Sequence, residues 1–202
     1  MDILENFEAQ STALVLNHLQ AAIISNSPLA PSEPEDLARM DAAVERCAEA
    51  LVAARRVNLL IVHVRIAFSP GYPEASRTSP MMRYMAKENV LLEGDPGTEF
   101  DSRVSPTINE IVITNHAVSA FAGTSIDQLF RVQGINTVVL GGLVTHYAVE
   151  GTARDAHDRG YRVVVLEDGC SSGGTARHDA SITNLAFLSD VVTTRALTAT
   201  LK

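Results

Sequence analysis

The segment INTVVLGGLVTHYAVEGTARDA, residues 135–156, combines a strand, a tight turn and the start of a helix. The β-branched run at residues 135–140 is typical of a buried strand. Gly141 and Gly142 permit a close backbone approach at the turn. Backbone N–H groups at the start of the following helix carry a partial positive charge that suits an oxyanion or an anionic ligand. A nucleophile at position 148 would complete a catalytic site, but the residue there is Ala148.

Strand-like and helix-like segments alternate along the whole chain. Strands are predicted at residues 12–18, 57–68, 110–115, 135–142, 161–169 and 189–194. Helices are predicted at residues 33–56, 81–87, 125–134, 146–160 and 175–187, and in the C-terminal tail. This alternation predicts right-handed βαβ units and a three-layer α/β/α sandwich around a Rossmann-like, mostly parallel sheet of six strands.

Length, charge and cysteine content restrict the class of protein. A chain of 202 residues is most simply a single domain, here residues 1–202. The net charge of −8 argues against nucleic acid and anionic membranes as partners. No apolar run approaches the roughly 20 residues that span a bilayer, and the acidic N-terminus does not resemble a signal peptide. With only two cysteines, far apart, we expect a reducing, cytoplasmic location.

Two segments resemble a known family closely. The strand ALVLNHLQ at residues 13–20 and the long segment at residues 113–170, which contains SAFAGT and THYAVEGTARDA, are similar to the motifs of the isochorismatase-like superfamily, also called cysteine hydrolases. The resemblance covers nearly the whole chain. It implies the isochorismatase-like hydrolase fold, a small-molecule substrate or ligand, no cofactor, and a homodimer or homotetramer.

The resemblance also implies that the catalytic positions differ from those of the family. The family's general-base aspartate falls on His18, its lysine on Asn115 and its nucleophilic cysteine on Ala148. In the family the cysteine attacks an amide carbonyl, the aspartate takes its proton, and the lysine stabilises the charged forms. A thioester at position 148 is therefore excluded, and we predict a divergent member that lacks this triad.

The family implies two further features of the site. A cis peptide is expected at Leu143–Val144, and the amides of Val144 and Ala148 are expected to form a backbone oxyanion hole. The metal site of nicotinamidases resembles an Asp-x-His at the end of the second strand, whereas this chain has HVRIAF at residues 63–68. His63 stands there without a second ligand at metal-binding spacing, so we predict no metal.

Residues after the predicted strands are the candidate site, because ligands of parallel α/β sheets bind outside the carboxyl ends of the strands. His18 is either a catalytic acid or base or a hydrogen-bonded residue of the strand end. Asn115 either orients a carbonyl or a water, or is part of a turn.

Five other residues are candidates for substrate binding. Arg65, Phe68 and Tyr72 form either a lid over the substrate or a proline-stiffened loop without a ligand. His146 either lines the mouth of the pocket or faces solvent. Tyr147 either walls the pocket or packs in an oligomer contact.

Two functions remain open on this basis. The first is a hydrolase that acts on a small carbonyl- or carboxylate-containing molecule without a cysteine nucleophile, with His18 as the acid or base. The second is a catalytically inactive pseudoenzyme that binds a small ligand in the retained pocket. Dependence of turnover on His18 would distinguish them.

Overall fold

The computed structural model describes residues 7–25 and 27–201. Its strands are β1 (Thr12–Asn17), β2 (Leu60–Ile66), β3 (Ile111–Asn115), β4 (Thr137–Leu143), β5 (Arg162–Ser171) and β6 (Asp190–Val192). They form one sheet of six strands in the order β3-β2-β1-β4-β5-β6. Every neighbouring pair is parallel, so the predicted sheet is confirmed and is parallel throughout.

Helices cover both faces of the sheet, which confirms the predicted three layers. The helices are α1 (Ala21–Ile24), α2 (Pro34–Arg56), α3 (Pro80–Glu88), α4 (Ile126–Val132), α5 (Glu150–Asp158), α6 (Thr175–Leu185) and α7 (Thr194–Thr200). The buried side chains of α2 and α7 share one apolar core with one face of the sheet. Those of α4, α5 and α6 share a second core with the other face.

Strand β1 lies at the centre of the sheet and is buried along its whole length. Leu14 and Leu16 point into one core, and Ala13 and Val15 into the other, as the period of two of a strand requires. The strand order reverses between β1 and β4. In open α/β sheets such a reversal opens a crevice outside the carboxyl ends of the two strands, where ligands bind.

The longest helix, α2, has 23 residues and is amphipathic. The sequence predicts an apolar stripe of Leu37, Met40, Val44, Cys47 and Leu51 on one face of this helix. All of these except the partly buried Leu37 are buried. No helix within residues 7–25 and 27–201 is long and apolar enough to cross a membrane.

Several element boundaries differ from the sequence prediction. Strand β2 begins at Leu60 and not at residue 57, because the end of α2 continues into a turn in which the N–H of Leu59 donates to the carbonyl of Ala54. The helix predicted from residue 146 begins as a π-helical turn, Thr145–Val149, and becomes α-helical only at α5. The short helix α1 was not predicted.

Strand β5 continues past its predicted end at residue 169. Its register against β4 shifts after Leu140 pairs with Val165, so that Gly142 pairs with Cys170. Between these two pairs β4 moves on by two residues and β5 by five, so β5 has three extra residues there. Because the irregularity lies in mid-strand, the sequence EDG, typical of a turn, does not end the strand there.

Candidate active site

His18 directly follows β1, at the reversal of the strand order. Its backbone has a left-handed conformation, with φ +49°. Its N–H donates to the carbonyl of Val64 on β2 over 2.9 Å, and only 5% of the residue is exposed. A left-handed non-glycine residue costs of order 1–3 kcal/mol, and such residues persist where the surrounding structure dictates them. The fold therefore holds the His18 side chain in the crevice.

The hydrogen bonds of Asn115 determine which nitrogen of His18 carries the proton. Asn115 ends β3, and its Nδ2 donates to the carbonyls of Ala117 (2.9 Å) and Ser119 (3.1 Å). Its Oδ1 consequently faces His18 Nε2, at 3.1 Å. Since Oδ1 only accepts hydrogen bonds, Nε2 is the protonated nitrogen and Nδ1 keeps its lone pair. Asn115 thus contacts His18, and it does not line the cavity described below.

Burial keeps His18 uncharged at neutral pH. Removal from water lowers the pKa of the His18 imidazole to about 4, and the hydrogen bond with Asn115 opposes this shift only in part. A histidine with this pKa has roughly the basicity of an aspartate, whose ordinary pKa is about 3.9. The site therefore contains a base of carboxylate strength that has no negative charge.

The lowered pKa of His18 predicts acid sensitivity of the fold. Between pH 6.5 and 4 the unfolded chain binds a proton at His18 that the folded protein does not, so stability falls as the pH falls through this window. We expect His18 to account for a loss of roughly 2–3 kcal/mol in the free energy of unfolding between pH 7.5 and 4.5. Urea denaturation of wild type and His18→Asn at both pH values measures it. Equal losses in the two proteins would contradict the prediction.

The C-terminal end of β4 lies directly against the end of β1. Gly142 pairs with Asn17 and has φ +118°, and Asn17 Nδ2 donates to the carbonyl of Gly141 over 3.3 Å. The Leu143–Val144 peptide bond is cis, which confirms the expectation from the family resemblance. The role of the Val144 and Ala148 amides as an oxyanion hole stays a prediction.

A cavity of about 170 Å³ adjoins His18. It is lined by His18, Ile23, Leu29, Ile66, Met81, Met85, Leu91, Ala117, Val118, Leu143, Val144, Tyr147 and Ala148. Only His18 and Tyr147 in this set carry polar side-chain atoms. A closed apolar cavity of about 150 Å³ accommodates benzene, so this one suits a group of roughly six to eight non-hydrogen atoms.

Of the five predicted substrate-binding residues, Tyr147 lines the cavity and is 48% exposed at its edge. Arg65 donates to Thr114 Oγ1 from Nε (3.3 Å) and Nη2 (2.9 Å). Phe68 is fully buried, with its ring centroid 5.4 Å from that of Tyr72, whose hydroxyl donates to the carbonyl of Val90. Arg65, Phe68 and Tyr72 are not among the lining residues, and their contact with a substrate stays a prediction.

His146 lines a second, polar cavity of about 400 Å³ that shares a wall with the first. The shared residues are Leu29, Val144 and Tyr147. His146 Nδ1 is 2.8 Å from Ser172 Oγ, and burial lowers the pKa of His146. The charged residues that line this second cavity are Glu33, Asp36 and Arg177.

Most of the apolar wall was missed by the sequence analysis. Segments that the sequence assigns to a loop or a short helix supply five of the missed residues: Ile23, Leu29, Met81, Met85 and Leu91. Ile66, Ala117 and Val118 were missed as well. The one available signal is the spacing of Met81 and Met85, which lie four apart on α3 and so share a face of the helix. Which surface this face covers depends on long-range packing.

Both cysteines of the chain lie away from the cavity. Cys47 donates from Sγ to the carbonyl of Gly169 over 3.0 Å, and burial raises the pKa of its thiol to about 12. Burial also raises the pKa of Cys170 well above its ordinary value. Thiolates are the reactive form, so both native thiols are expected to react slowly near neutral pH.

A thiol introduced at Ala148 tests the position of the cavity. We expect Ala148→Cys to take up one carbamidomethyl group from iodoacetamide, because its sulfur faces space large enough for the reagent. Wild type is expected to take up none in the folded state. Ala120→Cys is the matched control, since Ala120 is buried and lines no part of the cavity. Intact-mass spectrometry gives the count, and equal labelling of the two variants would exclude this placement of the cavity.

His63, which the sequence analysis considered for metal binding, pairs with a carboxylate that is distant in sequence. Its Nε2 is 2.9 Å from Glu110 Oε2, and Arg55 donates to the same carboxylate from Nε and Nη2. These contacts lower the pKa of Glu110 to about 2 despite its burial. No group of three or more His, Cys, Asp or Glu side chains suited to a metal ion occurs within residues 7–25 and 27–201.

Known proteins share this architecture. The sequence profile of the isochorismatase domain matches residues 12–196. A maleamate amidohydrolase of Pseudomonas putida is 30% identical over 189 residues, which cover 93% of this chain and 84% of the relative. The chain belongs to the isochorismatase family.

Further comparisons agree with this membership in a family of hydrolases. A ureidoacrylate amidohydrolase of Methylorubrum extorquens is 27% identical over 202 residues, which cover 92% of this chain and 82% of the relative. A cysteine hydrolase from Pseudomonas syringae pv. phaseolicola superimposes with a TM-score of 0.86 at 20% identity, covering 96% of this chain and 94% of the other. At that identity the superposition supports the fold alone.

Proposed function

We propose that this isochorismatase-family protein hydrolyses a small amide or ester by direct attack of water, without a covalent enzyme intermediate. The observation that carries the proposal is the hydrogen bond from His18 Nε2 to Asn115 Oδ1, which leaves the lone pair of His18 Nδ1 free to accept a proton. Among the lining residues that the structure describes, His18 and Tyr147 are also the two with ionisable side chains.

The reaction needs three groups at this site. His18 Nδ1 accepts a proton from a water molecule as its oxygen attacks the substrate carbonyl carbon. The backbone N–H groups of Val144 and Ala148 stabilise the negative oxygen of the tetrahedral intermediate. Collapse of the intermediate breaks the bond to the leaving group, which takes the proton back from His18 Nδ1. Neutral His18 is regenerated.

Asn115 has a positioning role in this reaction. Its two donated hydrogen bonds fix the direction of Oδ1, and Oδ1 in turn fixes the orientation and the tautomer of the His18 ring. A residue that acts through another in this way need not touch the substrate.

Two arguments support hydrolysis. The maleamate and ureidoacrylate amidohydrolases among the relatives carry names of hydrolases that act on small molecules. A base with a pKa of about 4 is also fully deprotonated at neutral pH, as carboxylate bases of hydrolases are.

A second candidate function is ligand binding without turnover. The low pKa of His18 favours it, since a weaker base gives less assistance to proton transfer. The apolar lining of the cavity favours binding as well.

Mass spectrometry of a substrate panel tests the proposal. Small amides, activated esters and enol ethers are incubated with the protein at pH 6 and 8, and both the products and the intact protein are measured. Product formation without any acyl adduct on the quenched protein is expected. An acyl adduct during turnover would overturn direct water attack, and binding without product would favour the second candidate.

A further inference from the structure

We propose that the substrate of this site is an uncharged amide or ester with apolar substituents, and that the cavity rejects a carboxylate. This inference rests on the proposed function for the reaction, but its test measures ligand binding independently of turnover. Its basis is the lining of the cavity, in which apolar side chains surround His18 and none of the described lining residues carries a charge at neutral pH.

An anionic ligand would lose its water in this cavity without gaining a counter-ion. Eleven of the thirteen lining residues are aliphatic or methionine, and the remaining two are His18 and Tyr147. Transfer of an unpaired carboxylate from water to apolar surroundings is strongly unfavourable. His18 does not compensate, since its imidazole is neutral near pH 7.

Three arginines on segments around the cavity, Arg65, Arg83 and Arg177, do not supply the missing charge. Arg65 binds Thr114 and lies 3.9 Å from a carboxylate oxygen of Glu93. Arg83, which shares α3 with the methionines of the wall, donates to two backbone carbonyls outside the helix. Arg177 lines the second cavity, which Glu33 and Asp36 line as well. None of the three arginines lines the apolar cavity.

Two methionines of α3 contribute to the proposed preference for uncharged ligands. Met81 and Met85 form part of the cavity wall, and their flexible thioether side chains adapt to apolar groups of different shape. Met81 is only partly buried, so a longer cationic side chain there can place its charge at the edge of the cavity. One substitution at position 81 can therefore change the preference of the cavity for uncharged over anionic ligands.

A matched pair of amides tests the inference. Isocrotonamide and maleamate share a cis double bond and an amide, and they differ in that a methyl group replaces the carboxylate. Binding to the wild-type protein at pH 7.5 is measured by saturation-transfer NMR, and ammonia release is followed in the same samples. We expect isocrotonamide to bind at least about 100-fold more tightly. Equal or tighter binding of maleamate, or binding of neither, overturns the inference.

Hydrolysis is measured separately from the binding preference for isocrotonamide over maleamate. Preferential binding of isocrotonamide without ammonia release supports the inference and counts against the proposed reaction. Hydrolysis of maleamate in preference to isocrotonamide supports the reaction and overturns the inference.

A charge introduced into the wall provides a second test. Met81→Lys is expected to reduce the preference for isocrotonamide by at least about tenfold, because its ammonium group can pair with the maleamate carboxylate. Val132→Lys adds the same charge at a remote, exposed position of α4 and is expected to leave the preference unchanged. An unchanged preference in a folded Met81→Lys protein overturns the inference.

Discussion

Replacement of His18 with asparagine is expected to lower kcat by about 100- to 10,000-fold on the best substrate of the panel, since general-base catalysis contributes on that scale. Asparagine is suited to this test because it tolerates the left-handed backbone at position 18. It also retains an amide that can bond to Asn115. Loss of activity can then be assigned to the missing imidazole and not to a disturbed strand end.

The matched control is His157→Asn, at an exposed position of α5. We expect the control to keep wild-type kcat and KM. Steady-state rates over pH 5–8, together with circular dichroism of each variant, complete the measurement. Retention of more than about one tenth of kcat in His18→Asn would exclude His18 as the base.

A methyl group at position 142 is expected to prevent stable folding. A Cβ on Gly142 would lie 2.1 Å from the carbonyl oxygen and 2.7 Å from the nitrogen of Asn17, both backbone atoms of the central strand. The positive φ of Gly142 adds strain for any L side chain. Because β1 and β4 must separate to relieve this contact, we expect Gly142→Ala to lose about 4 kcal/mol or more, or to be insoluble.

Gly160→Ala separates conformational strain from the clash. Gly160 also has a positive φ, of +86°, but a Cβ there meets no atom within 4 Å. This control is expected to lose only about 1 kcal/mol. Melting temperatures and soluble yields compare the two variants. Similar melting temperatures would show that β1 and β4 adjust easily at Gly142, which the geometry argues against.

The sequence predicts the architecture well because its signals are local. The strand predicted at residues 135–142, its paired glycines and the amphipathic pattern of the helix predicted at residues 33–56 are each visible within a short window. Ends of elements are less predictable where long-range contacts decide them. Strand β5 passes through residues typical of a turn because β4 pairs with it beyond the register shift.

The candidate site was only partly predictable. His18 and Asn115 lie close together because both stand at the carboxyl ends of parallel strands, where ligand sites of such sheets are expected. The hydrogen bond between them depends on the carbonyls of Ala117 and Ser119, which orient the amide and have no sequence signal. The apolar wall from α1 and α3 depends on tertiary packing and escaped the sequence analysis for the same reason.

The central pairing of β1 with β4 has a consequence for the order in which the protein gains its function. Thr12 pairs with Thr137 and Asn17 with Gly142, so more than half of the chain separates His18 from the cavity-lining residues at 143–148. Contacts so distant in sequence form late, after the entropy of closing a long loop has been overcome. Partly folded chains consequently lack the cavity, and a ligand that occupies it stabilises only the fully assembled protein.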